Sequence, residues 1–159
     1  LAQCGDFRRK LGETLPRGEA GQAVEGVRQC LASRPGWTFT TVGELRGPLL
    51  VPTPWVVFAV QEVLAEAATD KGSVRVRRVQ PDSDTTFLLP MGGAYLGFRI
   101  QWESDRKFSI EEVRAQFANF SLLASFELLR QCGGKLEAYN PAPNQQEAAV
   151  IVPFAIDSA

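Results

Sequence analysis

The last third of the chain carries a helix pattern, a pair of glycines and two strand patterns in close succession. Apolar residues recur at helical spacing at Leu122, Leu123, Phe126 and Leu129. The pattern stops at Gly133 and Gly134, and strand-forming stretches follow at 135–139 and 150–153, on either side of a polar turn. A chain that ends in this way has to pack a helix beside a hairpin, so its fold must combine helices with a sheet.

The composition is that of one ordinary folded domain. The 159 residues are 45% apolar and 22% charged, which suffices for one core. A net charge of −1 provides no field to attract nucleic acid or anionic membranes, so we predict neither as a partner. No apolar run approaches the roughly 20 residues that cross a bilayer, so we predict no membrane segment within this chain. The three cysteines lack metal-ligand spacing and predict reduced thiols in a cytoplasmic protein.

The chain contains no histidine. Serine–histidine and cysteine–histidine nucleophilic catalysis, histidine metal sites and phosphotransfer to histidine are therefore excluded within this chain. We predict no catalytic residue, no metal ligand and no cofactor.

The first 34 residues show two short helical patterns. Phe7, Leu11 and Leu15 are spaced four apart, and a second pattern contains Val24 and Val27. We predict an N-terminal helical hairpin or linker at residues 1–34, followed by one domain at residues 35–159.

A strand, helix and strand pattern occupies the middle of the chain. Strand formers at 37–42 and 49–51 precede Thr53-Pro54, a typical helix start. The helix is predicted from about 55 to 69, with this core stripe: Val56, Val60, Val63, Leu64 and Ala67. Two further strand patterns, at 73–77 and 95–102, are predicted to pair.

The order of these elements, together with the frame Glu62-Val-Leu-Ala-Glu66-Ala67, resembles the histidine-kinase ATPase domain of the gyrase, chaperone and histidine-kinase superfamily, the Bergerat fold. The resemblance implies an α+β two-layer sandwich, in which a mixed, mostly antiparallel sheet has helices on one face. A short helical segment precedes it. In the family an asparagine in this helix holds magnesium, and Glu66 stands at its position. A glutamate can also bind magnesium, since hard cations favour oxygen ligands.

The family's adenine-reading motif, Asp-x-Gly-x-Gly, should follow the second central strand. Residues 102–108 stand there, where Glu103 or Asp105 could supply the acid but neither is followed by the required glycines. The resemblance implies that Trp102 fills the space of the base.

The family's glycine-rich phosphate loops are missing as well, because no glycine occurs from Phe98 through Cys132. A phosphate loop needs backbone that approaches the ligand without an intervening Cβ. The stretch from Ser121 to Ser125 replaces the Gly-x-Gly-Leu segment, after a capping box at 109–112. We predict nearly continuous helix from there to Gly133, and rigid packing in place of a mobile lid.

Seven residues thus mark a degenerate nucleotide site: Glu62, Glu66, Trp102, Glu103, Asp105, Ser121 and Ser125. We predict a non-catalytic histidine-kinase-like domain that does not bind ATP and serves as a regulatory or docking module in two-component signal transduction. Its expected partner is a response-regulator receiver domain, a sensor kinase or a second copy of itself. Two alternatives stay open: a divergent ATP- and magnesium-binding kinase or ATPase domain, and a pocket reused for another small molecule.

Overall fold

A mixed five-stranded sheet frames the domain in a computed structural model, which describes residues 17–67, 69–80, 93–116 and 119–155. The strands are β2 (Trp37–Thr41), β4 (Gly72–Val79), β5 (Tyr95–Glu103), β6 (Lys135–Ala142) and β7 (Gln145–Pro153). They lie in the order β2-β4-β5-β7-β6, in which β2 and β4 are parallel and the other neighbours antiparallel. A separate two-stranded ribbon pairs β1 (Gly18–Glu19) with β3 (Pro48–Leu49).

The helices cover one face of this sheet. They are α1 (Ala20–Leu31), α2 (Thr53–Ala67), α3 (Ile110–Gln116) and α4 (Phe120–Gln131). Their buried apolar side chains share one core cluster with the inward residues of the strands, such as Val74, Phe98 and Val150. The predicted α+β class, with a mostly antiparallel mixed sheet and helices on one face, is confirmed.

Strand β5 shows how the sequence selects this arrangement. Side chains alternate between the faces of a strand, so Leu96, Phe98, Ile100 and Trp102 point together into the core. The residues between them include Arg99 and the exposed Gln101. The apolar side chains therefore fix the register of β5 against β4 and β7.

Helix α2 crosses the centre of the core. All five positions of its predicted stripe are buried: Val56, Val60, Val63, Leu64 and Ala67. Pro54 lies in the first turn of α2. N–H groups in a first turn have no acceptor within the helix, so the N–H that proline lacks costs no helical hydrogen bond. The helix connects β2 to its parallel neighbour β4, as a crossover between parallel strands requires.

The prediction of nearly continuous helix from residue 109 to 133 is wrong. Helix α3 ends at Gln116, and Asn119 has an extended backbone, with φ −149° and ψ 96°, before α4 begins. The side chain of Asn119 accepts a hydrogen bond from the Leu122 N–H at 3.0 Å. Asparagine is among the strongest N-cap residues, and this local signal outweighs the apolar periodicity that joins the two segments.

The predicted glycine turn after α4 is confirmed. Gly133 has φ +84°, a conformation that side-chain-bearing residues rarely adopt. The Gly134 N–H donates to the carbonyl of Leu129 at 2.7 Å, which closes the last turn of the helix. The chain then enters β6, and β6 and β7 form the predicted hairpin.

Helix α1 is the second of the two predicted N-terminal helices; the first lies outside the described residues. Ala20, Ala23, Val24, Val27 and Leu31 are buried in the same core cluster as α2. Val57 of α2 packs against Gly26, where an added Cβ would stand 2.7 Å from a Val57 methyl group. The division of the chain at residue 34 stays a prediction.

Candidate functional site

A small polar cavity lies between the end of α2, the end of β5 and the loop that leads into α3. Its volume is about 270 Å³. The lining residues are Glu66, Ala67, Trp102, Ser104, Arg106, Lys107, Phe108, Ser109, Glu112 and Val113. The sequence resemblance locates the family's nucleotide site in this neighbourhood, between the α2 helix and the end of the second central strand.

Glu66 lies at the rim of this cavity and is engaged by another helix. Its Oε1 atom accepts a hydrogen bond from the Asn119 side-chain amide at 2.9 Å. Asn119 is also the N-cap of α4, so a single side chain connects Glu66 to the start of that helix. The carboxylate that aligns with the family's magnesium ligand is therefore bonded to protein.

Glu62 lies one turn earlier on α2 and is half-buried. It does not contribute to the lining of the cavity that Glu66 borders. The two carboxylates thus do not converge on one space, although their spacing places them on the same side of the helix.

Trp102 closes the floor of the cavity. Its side chain is only 4% exposed, and its ring meets the Phe108 ring edge to face at a centroid distance of 5.5 Å. Phe108 is 6% exposed and belongs to the same core cluster. Aromatic side chains and the packed core therefore occupy the volume beneath the end of β5.

The loop from Ser104 to Phe108 is fastened by a buried amide. Gln146 is 1% exposed, and its Oε1 accepts from the Phe108 N–H at 2.9 Å and from the Asn140 side chain at 3.0 Å. Its Nε2 donates to the Ser104 carbonyl at 3.1 Å. Each polar atom of this amide has a partner, and two of its hydrogen bonds are to the backbone of the loop.

Sequence reasoning missed Gln146. The signal was present, since Gln146 precedes Ala148, Val150 and Val152 at the inward positions of β7. A polar residue at the inward end of an apolar stripe indicates a buried hydrogen-bonding role.

The two acidic candidates at the end of β5 and in the loop after it do not line the cavity that Glu66 borders. Glu103 is exposed and lines a second, larger cavity of about 640 Å³ at the end of the sheet, together with Trp102, Lys71 and Gln101. Asp105 is exposed on the loop and lines neither cavity. The alternation of β5 explains this placement, because the residue after inward-facing Trp102 must face outward.

Ser121 and Ser125 lie one turn apart in α4. Ser125 is 2% exposed, and its hydroxyl donates to the Ser121 carbonyl at 3.0 Å. The Leu123 N–H donates to the Asn119 carbonyl at 3.1 Å. Backbone groups of this segment are engaged within the helix and its cap, whereas a phosphate loop would direct N–H groups at a ligand.

Three solved structures to which this chain is similar are histidine kinases. The chain is similar to the mycobacterial sensor histidine kinase MprB with a TM-score of 0.59 and 17% identity, over 87% of this chain and 97% of that chain. It is similar to the Acinetobacter baumannii histidine kinase AdeS with a TM-score of 0.59 and 10% identity, over 93% and 74% of the two chains. The histidine kinase domain of the E. coli osmosensor EnvZ matches with a TM-score of 0.59 and 10% identity, over 90% and 91%. No protein-family model and no curated protein matches the sequence.

The fold is therefore that of a histidine-kinase-type ATPase domain, as the sequence resemblance implied. Identities of 10–17% establish the fold, and the function has to be argued from the site. None of the helices in the described part of the chain combines the length and the apolar character that crossing a membrane requires.

Proposed function

We propose that this domain is a non-catalytic histidine-kinase-like module that does not bind ATP and regulates or docks proteins in two-component signalling. The observation that carries the proposal is that Glu66 accepts a hydrogen bond from another side chain of the protein. The carboxylate at the magnesium position is hydrogen-bonded to Asn119, and the floor below it is filled by Trp102 and Phe108.

Three further features support the loss of nucleotide binding. The cavity of about 270 Å³ is smaller than the roughly 300–1,000 Å³ of pockets that enclose drug-sized ligands. The adenine-reading position carries a loop that Gln146 ties to the sheet. The stretch from Phe98 through Cys132 lacks the glycines that bring backbone N–H groups close to phosphates.

The proposal is tested by calorimetry with ATP and ADP, with and without magnesium, up to millimolar nucleotide. The folded protein is expected to show no saturable heat. Saturable one-to-one binding that Glu66→Ala abolishes and Glu111→Ala preserves would favour the divergent ATP- and magnesium-binding domain instead; Glu111 is an exposed carboxylate on α3.

The proposed docking surface is the exposed side of helices α2 and α4, which we call the helix face. Phe58 of α2 is 37% exposed and Phe120 at the start of α4 is 71% exposed, and these two helices pack against each other. Solvent-exposed aromatic side chains are the residues that most often anchor protein interfaces. The proposed partners are a receiver domain, a sensor kinase or a second copy of the chain.

Docking is tested by titrating purified receiver domains and kinase domains against the wild type, and by measuring the mass of the protein alone. Phe58→Ser and Phe120→Ser are each expected to weaken the partner complex about 30-fold, the value of a 2 kcal/mol anchor. Val42→Ser is the matched control, because Val42 is 43% exposed outside these helices. Equal binding by all three variants would remove the helix face as the docking surface.

The cavity of about 640 Å³ favours a second candidate function, the binding of a small molecule other than a nucleotide. Its size lies within the range of ligand pockets, and its polar lining includes Gln101, Gln145 and Ser73. Thermal stabilisation of the wild type by a non-nucleotide metabolite, reduced in Gln101→Ala, is the result that would favour this function.

A further inference from the structure

The side chain of Asn119 makes two hydrogen bonds with opposite roles. Its oxygen accepts from the Leu122 N–H at 3.0 Å, which caps α4. Its amide nitrogen donates to Glu66 Oε1 at 2.9 Å, which reaches across to α2. The two residues are 53 positions apart in the chain and both are partly buried. We call the second of these hydrogen bonds the Glu66–Asn119 latch.

The latch has the properties of a strong contact. Its acceptor is a carboxylate, and charge-assisted hydrogen bonds are about twice as strong as neutral ones. The side chain of Asn119 is hydrogen-bonded to both α2 and α4, so it restricts the position of the first turn of α4. That turn begins with Phe120, the most exposed of the large apolar side chains in the described residues, at 71%.

Glu62 supplies the contrast within the same helix. It is half-buried one turn before Glu66, and among the described residues no hydrogen bond or ion pair engages it. Glu66 is therefore hydrogen-bonded because Asn119 lies next to it, and not because of its spacing from Glu62.

We propose that Glu66 is a positioning residue: through the latch it fixes the start of α4 against α2 and so presents Phe120 at the helix face. The position that holds magnesium in the family serves in this chain to orient a docking surface. The inference rests on the proposed function in its last step, the use of Phe120 for docking.

The test reverses the direction of the hydrogen bond. Asn119→Asp keeps a good N-cap acceptor but sets a carboxylate against Glu66, so the latch is replaced by repulsion. In Glu66→Gln with Asn119→Asp, the glutamine amide can donate to the aspartate, and the contact returns with donor and acceptor exchanged. Glu62→Gln is the matched control on the same helix.

Amide hydrogen exchange is measured residue by residue on the full chain. Asn119→Asp is expected to speed exchange at Leu122 and Leu123 about tenfold or more, and the double variant is expected to return it to within about threefold of the wild type. The Glu62→Gln control is expected to leave these rates unchanged. A double variant that exchanges as fast as Asn119→Asp, or an Asn119→Asp variant that exchanges like the control, overturns the proposal.

Glu66→Ala covers the case in which Asn119→Asp does not fold. It removes the acceptor without adding a charge. Faster exchange confined to the first turn of α4 supports the latch, and a uniform increase that includes α1 overturns it.

The latch and the proposed function fail in different measurements. ATP binding to the wild type would refute the proposed function and leave the exchange result intact. Loss of rescue in the double variant would refute the latch and leave the nucleotide result intact. Binding of a purified receiver domain by Asn119→Asp and by the double variant then tests the last step, since it must weaken in the first and recover in the second.

Discussion

The turn after α4 contains two glycines, whereas the long stretch before it contains none. At the turn, Gly133 has φ +84° and a Cβ on Gly134 would stand 2.7 Å from the Ile151 carbonyl oxygen. Between residues 98 and 132 no glycine occurs, and the Ser121–Ser125 segment is regular helix. Glycines that the fold needs are present, whereas those that a phosphate ligand would need are absent. This difference agrees with the proposal that the domain keeps the fold and does not bind nucleotide.

The largest expected effect comes from filling the turn. Gly134→Ala places a methyl group against the Ile151 carbonyl at 2.7 Å and the Leu129 carbonyl at 3.2 Å, two backbone atoms that cannot move aside separately. We expect a loss of about 2–3 kcal/mol in the free energy of unfolding by urea denaturation. Gly133→Ala, where only the positive φ is unfavourable, should lose about 1 kcal/mol. Equal stability of Gly134→Ala and the wild type would show that the turn is not a folding constraint.

The buried amide comes next. Gln146→Leu removes the partners of the Phe108 N–H and the Ser104 carbonyl and leaves them inside the protein. We expect about 2 kcal/mol of destabilisation, because an unsatisfied buried polar group costs about 1–3 kcal/mol. Gln145→Leu changes the exposed neighbour on the same strand and should alter the urea midpoint little. If both variants unfold alike, Gln146 does not hold the loop.

Restoring a glycine to the helical segment sharpens the comparison directly. Ala124→Gly, at an exposed position of α4, should cost about 1 kcal/mol through the lost helix propensity. Calorimetry of this variant with ATP should still detect no binding, since the segment lacks the remaining glycines and Glu66 is hydrogen-bonded to Asn119. Nucleotide binding by Ala124→Gly would mean that a single glycine separates this domain from one that binds nucleotide.

The smallest expected effect is a pH dependence at the start of α1, away from both regions. Burial by itself raises the pKa of the Glu19 carboxyl, but the N–H groups of Gln22 and Gly47 that donate to it more than offset this, and the pKa is lowered from 4.5. Its stabilisation is therefore fully present above pH 4.5 and is lost as the pH falls through the lowered value. Glu19→Gln should cost less than about 1 kcal/mol at pH 7. The difference in unfolding free energy between wild type and Glu19→Gln should narrow as the pH falls below 4.5; a constant difference would contradict the assignment.

Most of the fold could be predicted from local patterns, because the residue types and spacing within each helix or strand predict that element. The stripe of α2, the pairing of the strands at 73–77 and 95–102 and the glycine turn at 133–134 were predicted and are present. The break between α3 and α4 was missed, although Asn119 is a typical N-cap, because apolar residues recur on both sides of it. Helix periodicity reports which face is buried, and it does not report where a cap interrupts the backbone.

The candidate site was predicted less completely than the fold. Sequence reasoning named Glu66 and Trp102, which line the cavity, but it also grouped Glu62, Glu103 and Asp105 with them. The structure disperses these three around the end of α2 and the edge of the sheet. Their functional status stays a prediction, since alignment to a family motif gives a position in the chain and not a direction in space.

The sequence by itself determined the element order, the apolar faces and the absence of histidine and of phosphate-loop glycines. These are properties of residue type and short-range spacing. Only the tertiary structure decided what the polar side chains do: Gln146 bonds to groups 38 and 42 residues away, and Glu66 bonds to a residue 53 positions along. A hydrogen bond depends on angles and on distances of a few tenths of an ångström between atoms far apart in the chain. The packing of the whole fold sets those distances, and sequence periodicity does not predict them.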